Sequence, residues 1–329
     1  MHSPRVRVLG RVQVLSQLNV SLLTVPHQIA DRLDSVAAWS QRQEHLWQHI
    51  ASDGGNAFKV AVLGSSVTSG CGAGESTAGL VPSTCHFPQS WSRIFAEDLA
   101  RHHDRRIDLS VSYKNAVGAE YFAFCSPRHV AADVQLIVIE VGTNLFPGTD
   151  LAHLVSSLQR AAPAAAILFL VFPPRLQLAS AHRGWLNSSK ERVCVTPVDK
   201  QVARACEDAG VDAIHMSPVL AWVTDNESCS SRGKSRYGGW YAQQGRDTVH
   251  PSPRGHSLVG LVCARIVAAH IARSRRSEGL AIGQRPSVRS NSSSQDVDPV
   301  ATHTSPQGWE QCFNAAEIPI DSTTAITEW

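Results

Sequence analysis

Residues 58–70 read FKVAVLGSSVTSG: an apolar run interrupted only by Lys59, a glycine, then two serines. Phe58–Leu63 is the first of four such runs. Leu109–Tyr113, Leu136–Val141 and Ile167–Phe172 follow, with a weaker fifth at Val211–Ile214. Between them lie Ser90–His102, Leu151–Ala162 and Val198–Ala209, each with apolar residues at helical spacing. Short apolar runs alternating with helical patterns mark strands buried on both faces, because each crossover helix covers one side of a parallel sheet. The expected fold is α/β, a three-layer α/β/α sandwich around a mainly parallel central sheet.

Working outward, Ile29, Leu33, Val36, Ala37, Leu46 and Ile50 predict a leading helix over 29–51, stopped by Asp53-Gly54-Gly55-Asn56. A last helix is expected from Pro253 to Arg273. Its stretch Leu258–Ala272 contains Arg265 and is short for a bilayer, so it reads as a core-facing helix. From Ser274 onward serine and arginine replace large apolar residues until Trp309. Such a composition cannot offset its own ordering entropy and predicts a flexible, low-complexity tail. Three segments result: 1–56, an N-terminal segment with the leading helix; 57–273, one α/β domain; and 274–329, the tail.

With 30 basic and 28 acidic residues the net charge is +2, which supplies no global field for nucleic acid or anionic lipid. No nucleic-acid partner and no stable membrane insertion are expected. The eight cysteines (71, 85, 125, 194, 206, 229, 263 and 312) form no CxxC pair and no Cys/His cluster with ligand spacing, so no metal is expected. Their connectivity is open, and Cys312 either pairs with an earlier cysteine or stays free. The even count, with Asn-x-Ser sequons at Asn19, Asn187, Asn226 and Asn291, favours the secretory pathway or an extracellular location over the cytoplasm. Arg5, Arg7 and Arg11 precede Val12–Val25 in the manner of a signal peptide. Gln13, Gln17 and Asn19 interrupt that run, and no small-residue cleavage site follows it.

The turn after Leu63 is the first candidate site. Gly64 permits a tight exit from the strand, and Ser66 would stand at the rim of the sheet, at the start of a helical segment. A phosphate-cradling loop is the rival reading, supported by Gly70, Gly72 and Gly74, but the Gly-Lys-Ser/Thr ending is missing. Near the other end, Asp247-Thr248-Val249-His250-Pro251 places a carboxylate and an imidazole three residues apart. A serine hydroxyl is a poor nucleophile until an imidazole takes its proton and a carboxylate fixes the imidazole's tautomer. Asn115-Ala116-Val117-Gly118 and Gly142-Thr143-Asn144 follow the second and third strands. A backbone N–H and an asparagine amide there suit the oxyanion of an acyl transfer. Ser66, Gly118 and Asn144 each follow a different strand, at the edge where open parallel sheets bind ligands.

These blocks resemble the SGNH (GDSL-like esterase/lipase) superfamily, whose pattern reads Gly-Asp-Ser with a later glycine, then Gly, then Gly-x-Asn, then Asp-x-x-His. The resemblance covers about residues 57–273 and implies an SGNH hydrolase-type esterase domain with a flavodoxin-like sheet. It implies catalytic Ser66, Asp247 and His250, and oxyanion donors Gly118 and Asn144 beside the Ser66 N–H. No cofactor is implied. The substrate class implied is an ester: a small-acyl ester of a carbohydrate, or else a lipid ester. Arg175–Lys190 and Ser228–Gln244, with Trp240 and Tyr241, are expected to border the cleft. The aromatic stretch Glu120–Cys125, with Glu140, is similar to a eukaryotic branch. Ser65 stands where the family commonly has Asp or Asn, and Leu145 where Asp is usual. Those departures leave a weakly active or inactive binding protein as an alternative; separately, an O-acyltransferase using the same residues is another.

Overall fold

The computed structural model describes residues 5–8, 32–53, 57–74, 85, 87–103, 105–145, 149–186, 192–224, 229, 239–242 and 247–282. Two compact units are distinguished, Met1–Gly283 and Gln284–Trp329, and every described residue belongs to the first. Val12–Val25, the four sequons, Cys312 and the chain from residue 283 onward lie outside the described residues.

In chain order the strands are β1 (Arg5–Val8), β2 (Ala37–Ala38), β3 (Ala57–Gly64), β4 (Arg106–Tyr113), β5 (Leu136–Val141), β6 (Ala166–Val171), β7 (His182–Gly184), β8 (Val193–Val195) and β9 (Asp212–His215). The helices are α1 (Glu44–Ser52), α2 (Trp91–His103), α3 (Ala119–His129), α4 (Leu151–Ala161), α5 (Arg175–Leu178), α6 (Pro197–Ala209), α7 (Met216–Val223) and α8 (Pro253–Ile282). One sheet has the order β1-β4-β3-β5-β6-β9-β2, and β7 pairs with β8 apart from it. Strands β4, β3, β5, β6 and β9 run parallel, while β1 and β2 are antiparallel at the two edges.

Alternate residues of each strand enter opposite layers, as the two-residue period of a strand requires. Val60, Val62, Leu136, Val138 and Leu168 pack with Trp47, Phe95 and Val259, from α1, α2 and α8. Leu63, Ile137, Ile139 and Phe169 pack with Phe122, Leu154 and Val202, from α3, α4 and α6. The expected α/β/α sandwich is therefore the fold, and all four main apolar runs form its central strands.

The leading segment departs from its periodicity. Instead of one helix over 29–51, Leu33–Val36 makes a 3-10 turn, Ala37–Ala38 pairs with β9, and α1 begins only at Glu44. Asp212 dictates this arrangement. Its Oδ1 accepts from the Ser40 N–H at 2.6 Å, and its Oδ2 accepts from Gln43 Nε2 at 2.7 Å and Trp47 Nε1 at 2.6 Å. Burial pushes this carboxyl up to about 7, against the pull of those donors. A buried acid demands its hydrogen-bond partners, and that demand overrides the local helical pattern.

The last helix also exceeds its expected end at Arg273, continuing to Ile282. Ser274 is buried, and Arg275 Nε donates to the Ala51 carbonyl at 2.7 Å. Contact with α1 carries the helix through serine and arginine residues that read as the start of a tail.

Candidate active site

β3 delivers the first site residue. A Cβ on Gly64 would collide with Thr68 Oγ1 and sit 3.1 Å from Glu140 Cβ, so the chain turns here in space that only glycine leaves free. Residues 66–70 form turns rather than the expected helix, which corrects the placing of Ser66 at a helix N-terminus. The Cys71 N–H donates to the Ser66 carbonyl at 3.0 Å, and Ser69 N–H to the Ser65 carbonyl at 3.0 Å. Backbone hydrogen bonds, with Gly70 at φ 84°, close the turn on itself. A disulfide joins Cys71 to Cys85, and another joins Cys194 to Cys229.

The Asp247–Pro251 loop lies directly against this turn. His250 Nε2 is 2.8 Å from Ser66 Oγ, and His250 Nδ1 is 2.7 Å from Asp247 Oδ2. With the ring proton on Nδ1, the imidazole donates to Asp247 and accepts from the Ser66 hydroxyl. Asp247 Oδ1 accepts from the backbone N–H groups of Val249 at 2.9 Å and His250 at 3.0 Å, which fixes the carboxylate within its own loop. Arg175 N–H donates to the Thr248 carbonyl at 2.7 Å and Ala242 N–H to the His250 carbonyl at 2.9 Å, so flanking segments hold the loop from outside.

Gly118 is the N-cap residue of α3, and Asn144 follows β5. Asn144 Nδ2 donates to the Val117 carbonyl at 3.2 Å. One amide proton is used in holding the side chain beside Gly118, and the second remains to donate elsewhere. Gly142 has φ 131°, and a Cβ there would meet the Phe172 carbonyl oxygen at 2.5 Å. Leu145, where the family pattern has an acid, is buried in the apolar layer with Phe122 and Leu151. Gly118, Phe122, Ile139, Asn144 and Leu145 line a recess of about 280 Å³, counted out to its open mouth.

Glu140 is 4% exposed, with Oε2 at 3.4 Å from Ser65 N, Ser65 Oγ and Thr68 Oγ1, and Oε1 at 3.5 Å from Thr143 Oγ1. Burial pushes its carboxyl up to about 7, opposed by those donors and by His250. The sequence marks Glu140 only as part of a block. Its contacts with Ser65 and Thr68 were not legible there, because they join β5 to a turn 72–75 residues earlier in the chain.

Two expected cleft aromatics belong instead to the packing. Tyr241 is fully buried with its hydroxyl donating to the Pro173 carbonyl at 2.6 Å, and Trp240 is buried under the Arg254 guanidinium. Of the two border segments, 187–190, 228, 230–238 and 243–244 lie outside the described residues. Among the described residues, no group of three or more His, Cys, Asp or Glu side chains is arranged to hold a metal ion.

The sequence matches the profile of the GDSL-like lipase/acylhydrolase family over residues 62–258. Among solved structures, a carbohydrate acetylesterase from Sinorhizobium meliloti, Est24, is 16% identical, with 64% of this chain and 98% of that one covered at a TM-score of 0.40. A lipase/acylhydrolase from Enterococcus faecalis is 13% identical, with 64% and 95% covered at 0.42. A peptidoglycan O-acetylesterase is 11% identical, with 74% and 99% covered at 0.43. No curated protein matches the sequence.

Proposed function

Because the chain belongs to the GDSL-like lipase/acylhydrolase family and is thereby a carboxylic ester hydrolase, we propose that it works through an acyl-enzyme on Ser66. The observation that carries this reading is the hydrogen-bonded series Asp247–His250–Ser66, at 2.7 and 2.8 Å. His250 Nε2 takes the hydroxyl proton as Ser66 Oγ attacks the ester carbonyl, and Asp247 stabilises the imidazolium that forms. The N–H groups of Ser66 and Gly118 and the free amide proton of Asn144 receive the oxyanion. The imidazolium then protonates the leaving alcohol. Water, deprotonated by His250, releases the acid and restores Ser66.

The acyl group proposed is short, an acetyl or its near homologues, and the alcohol is a carbohydrate. The recess beside Gly118 and Asn144 is narrow and walled by the apolar side chains of Phe122, Ile139 and Leu145, which suits a short acyl chain. A long-chain lipid ester is the second candidate. The stretch Glu120–Cys125, with Glu140, supports membership of a eukaryotic branch of the family. The catalytic unit extends beyond 57–273 on both sides, since Gln43 and Trp47 bond Asp212 and Arg275 bonds Ala51.

Fluorophosphonate labelling of the wild type beside Ser66→Ala, with the modified residue located by mass spectrometry, tests the proposal. Labelling at Ser66 that vanishes in the variant is expected, together with faster hydrolysis of p-nitrophenyl acetate than of the octanoate. Absence of labelling on folded protein overturns the nucleophile assignment. Faster cleavage of the octanoate overturns the short-acyl assignment.

A further inference from the structure

Ile139 is registered opposite Leu63 in the parallel pairing of β5 with β3, so Glu140 stands beside Gly64, where the turn carrying Ser66 begins. From there its carboxyl reaches in two directions. Oε2 accepts from the Ser65 N–H, the Ser65 hydroxyl and the Thr68 hydroxyl, all on the serine turn. Oε1 accepts from the Thr143 hydroxyl, on the loop that carries Asn144. A single buried acid thereby spans the candidate nucleophile and a candidate oxyanion donor.

A buried acid in this place needs a reason. Removing a carboxylate from water costs several kcal/mol before its hydrogen bonds are counted, and a glutamine would fill the same space at lower cost. What the carboxylate adds is four acceptor sites aimed at donors that an amide, with its own N–H pair, cannot all satisfy. The family pattern puts an acid at position 65. Here that position is Ser65, and both its N–H and its hydroxyl turn toward Glu140. In this chain the acid in contact with the serine turn is Glu140, on the neighbouring strand.

We propose that Glu140 is a positioning residue whose carboxylate holds the Ser66 turn and the Asn144 loop at one fixed separation. The proposal rests on Ser66 being the nucleophile. Misplacement of reacting groups by about 1 Å costs on the order of a hundredfold in rate, so loosening this link acts on turnover.

The test is Glu140→Gln in the full chain, read by steady-state hydrolysis of p-nitrophenyl acetate and by the rate of fluorophosphonate labelling at Ser66. A fall in kcat of about tenfold or more is expected, with KM within about threefold and labelling slowed in parallel. Adding Ser65→Asp to Glu140→Gln returns an acid from the other side of the contact, and at least partial recovery of kcat is expected. A kcat within twofold of wild type, a loss confined to KM, or no recovery in the double variant overturns the proposal. Wild-type protein that is not labelled at Ser66 removes the nucleophile reading itself, so the two failures are distinguishable.

Discussion

His256 Nε2 donates to the carbonyl oxygen of Cys71 at 3.0 Å, while its Nδ1 accepts from the Trp91 N–H at 3.2 Å. One buried imidazole therefore fastens the first turn of α8 to the beginning of α2 and to the turn behind Ser66. Only the neutral ring satisfies both contacts, because a proton on Nδ1 would face the Trp91 N–H.

This contact makes stability depend on pH. Burial lowers His256 from 6.5 to about 4. Between those values the unfolded chain binds more protons than the native one, so the contribution is fully present above about 6.5 and is lost as pH falls toward 4. His103 and His270, also lowered to about 4, act in the same sense. Asp212 and Glu140, raised to about 7, act in the opposite sense. The expected outcome for His256→Gln is a smaller rise in unfolding free energy from pH 4 to 6.5, by on the order of 2 kcal/mol. Urea unfolding at a series of pH values reads it, and an unchanged slope would contradict the assignment.

Asp247→Asn isolates the imidazole's partner. The amide oxygen can still accept from the Val249 and His250 N–H groups, so the loop keeps its shape while the tautomer control is lost. A fall in kcat of about 10³–10⁴ with an unshifted melting temperature is expected. Turnover near wild type would remove Asp247 from the series.

Asn144→Ala removes one donor from the proposed oxyanion set and leaves the Val117 carbonyl without that amide. A drop in kcat of about 10²–10³, with little change in KM, is expected from the loss of such a donor. A change confined to KM would place the amide on the substrate in its ground state.

Two backbone positions should respond in opposite directions. Gly142→Ala puts a Cβ against the Phe172 carbonyl at a φ of 131°, and a loss of about 1–3 kcal/mol in chemical denaturation is expected. Ala116, at φ 57°, already sits in the left-handed region just before Val117. Ala116→Gly relieves that strain, and a gain of up to about 1 kcal/mol is expected.

The sheet was legible in the sequence because Phe58–Leu63, Leu136–Val141 and Ile167–Phe172 are short apolar runs, nearly all buried, that alternate with helical patterns as covered parallel strands do. The turns were legible for a related reason, since a parallel sheet leaves its chemistry at strand ends, where Ser66, Gly118 and Asn144 fall. Other features are set by partners far away in the chain. Asp212 reorganises residues 37–47 from about 170 positions downstream, as its bond to Gln43 spans 169. Tyr241 looked available to a ligand until its hydroxyl met Pro173, 68 residues away. Helix α3 carries Pro127 in its interior and a modest apolar stripe, so its sequence marks no helix although Phe122 and Ala123 anchor it in the core.

The order of the chain has a consequence for its birth. Ser66 precedes His250 by 184 residues, and the helix that seats against α1 and α2 follows the base. A growing polypeptide emerges with its serine first and its imidazole nearly last, so the early strands assemble around a hydroxyl that is chemically mute. Under the proposed mechanism, hydrolysis requires the Asp247–Pro251 loop to reach the Ser66 turn. Under that mechanism a chain interrupted before residue 247 lacks both Asp247 and His250, and its Ser66 has no base however well its strands have paired.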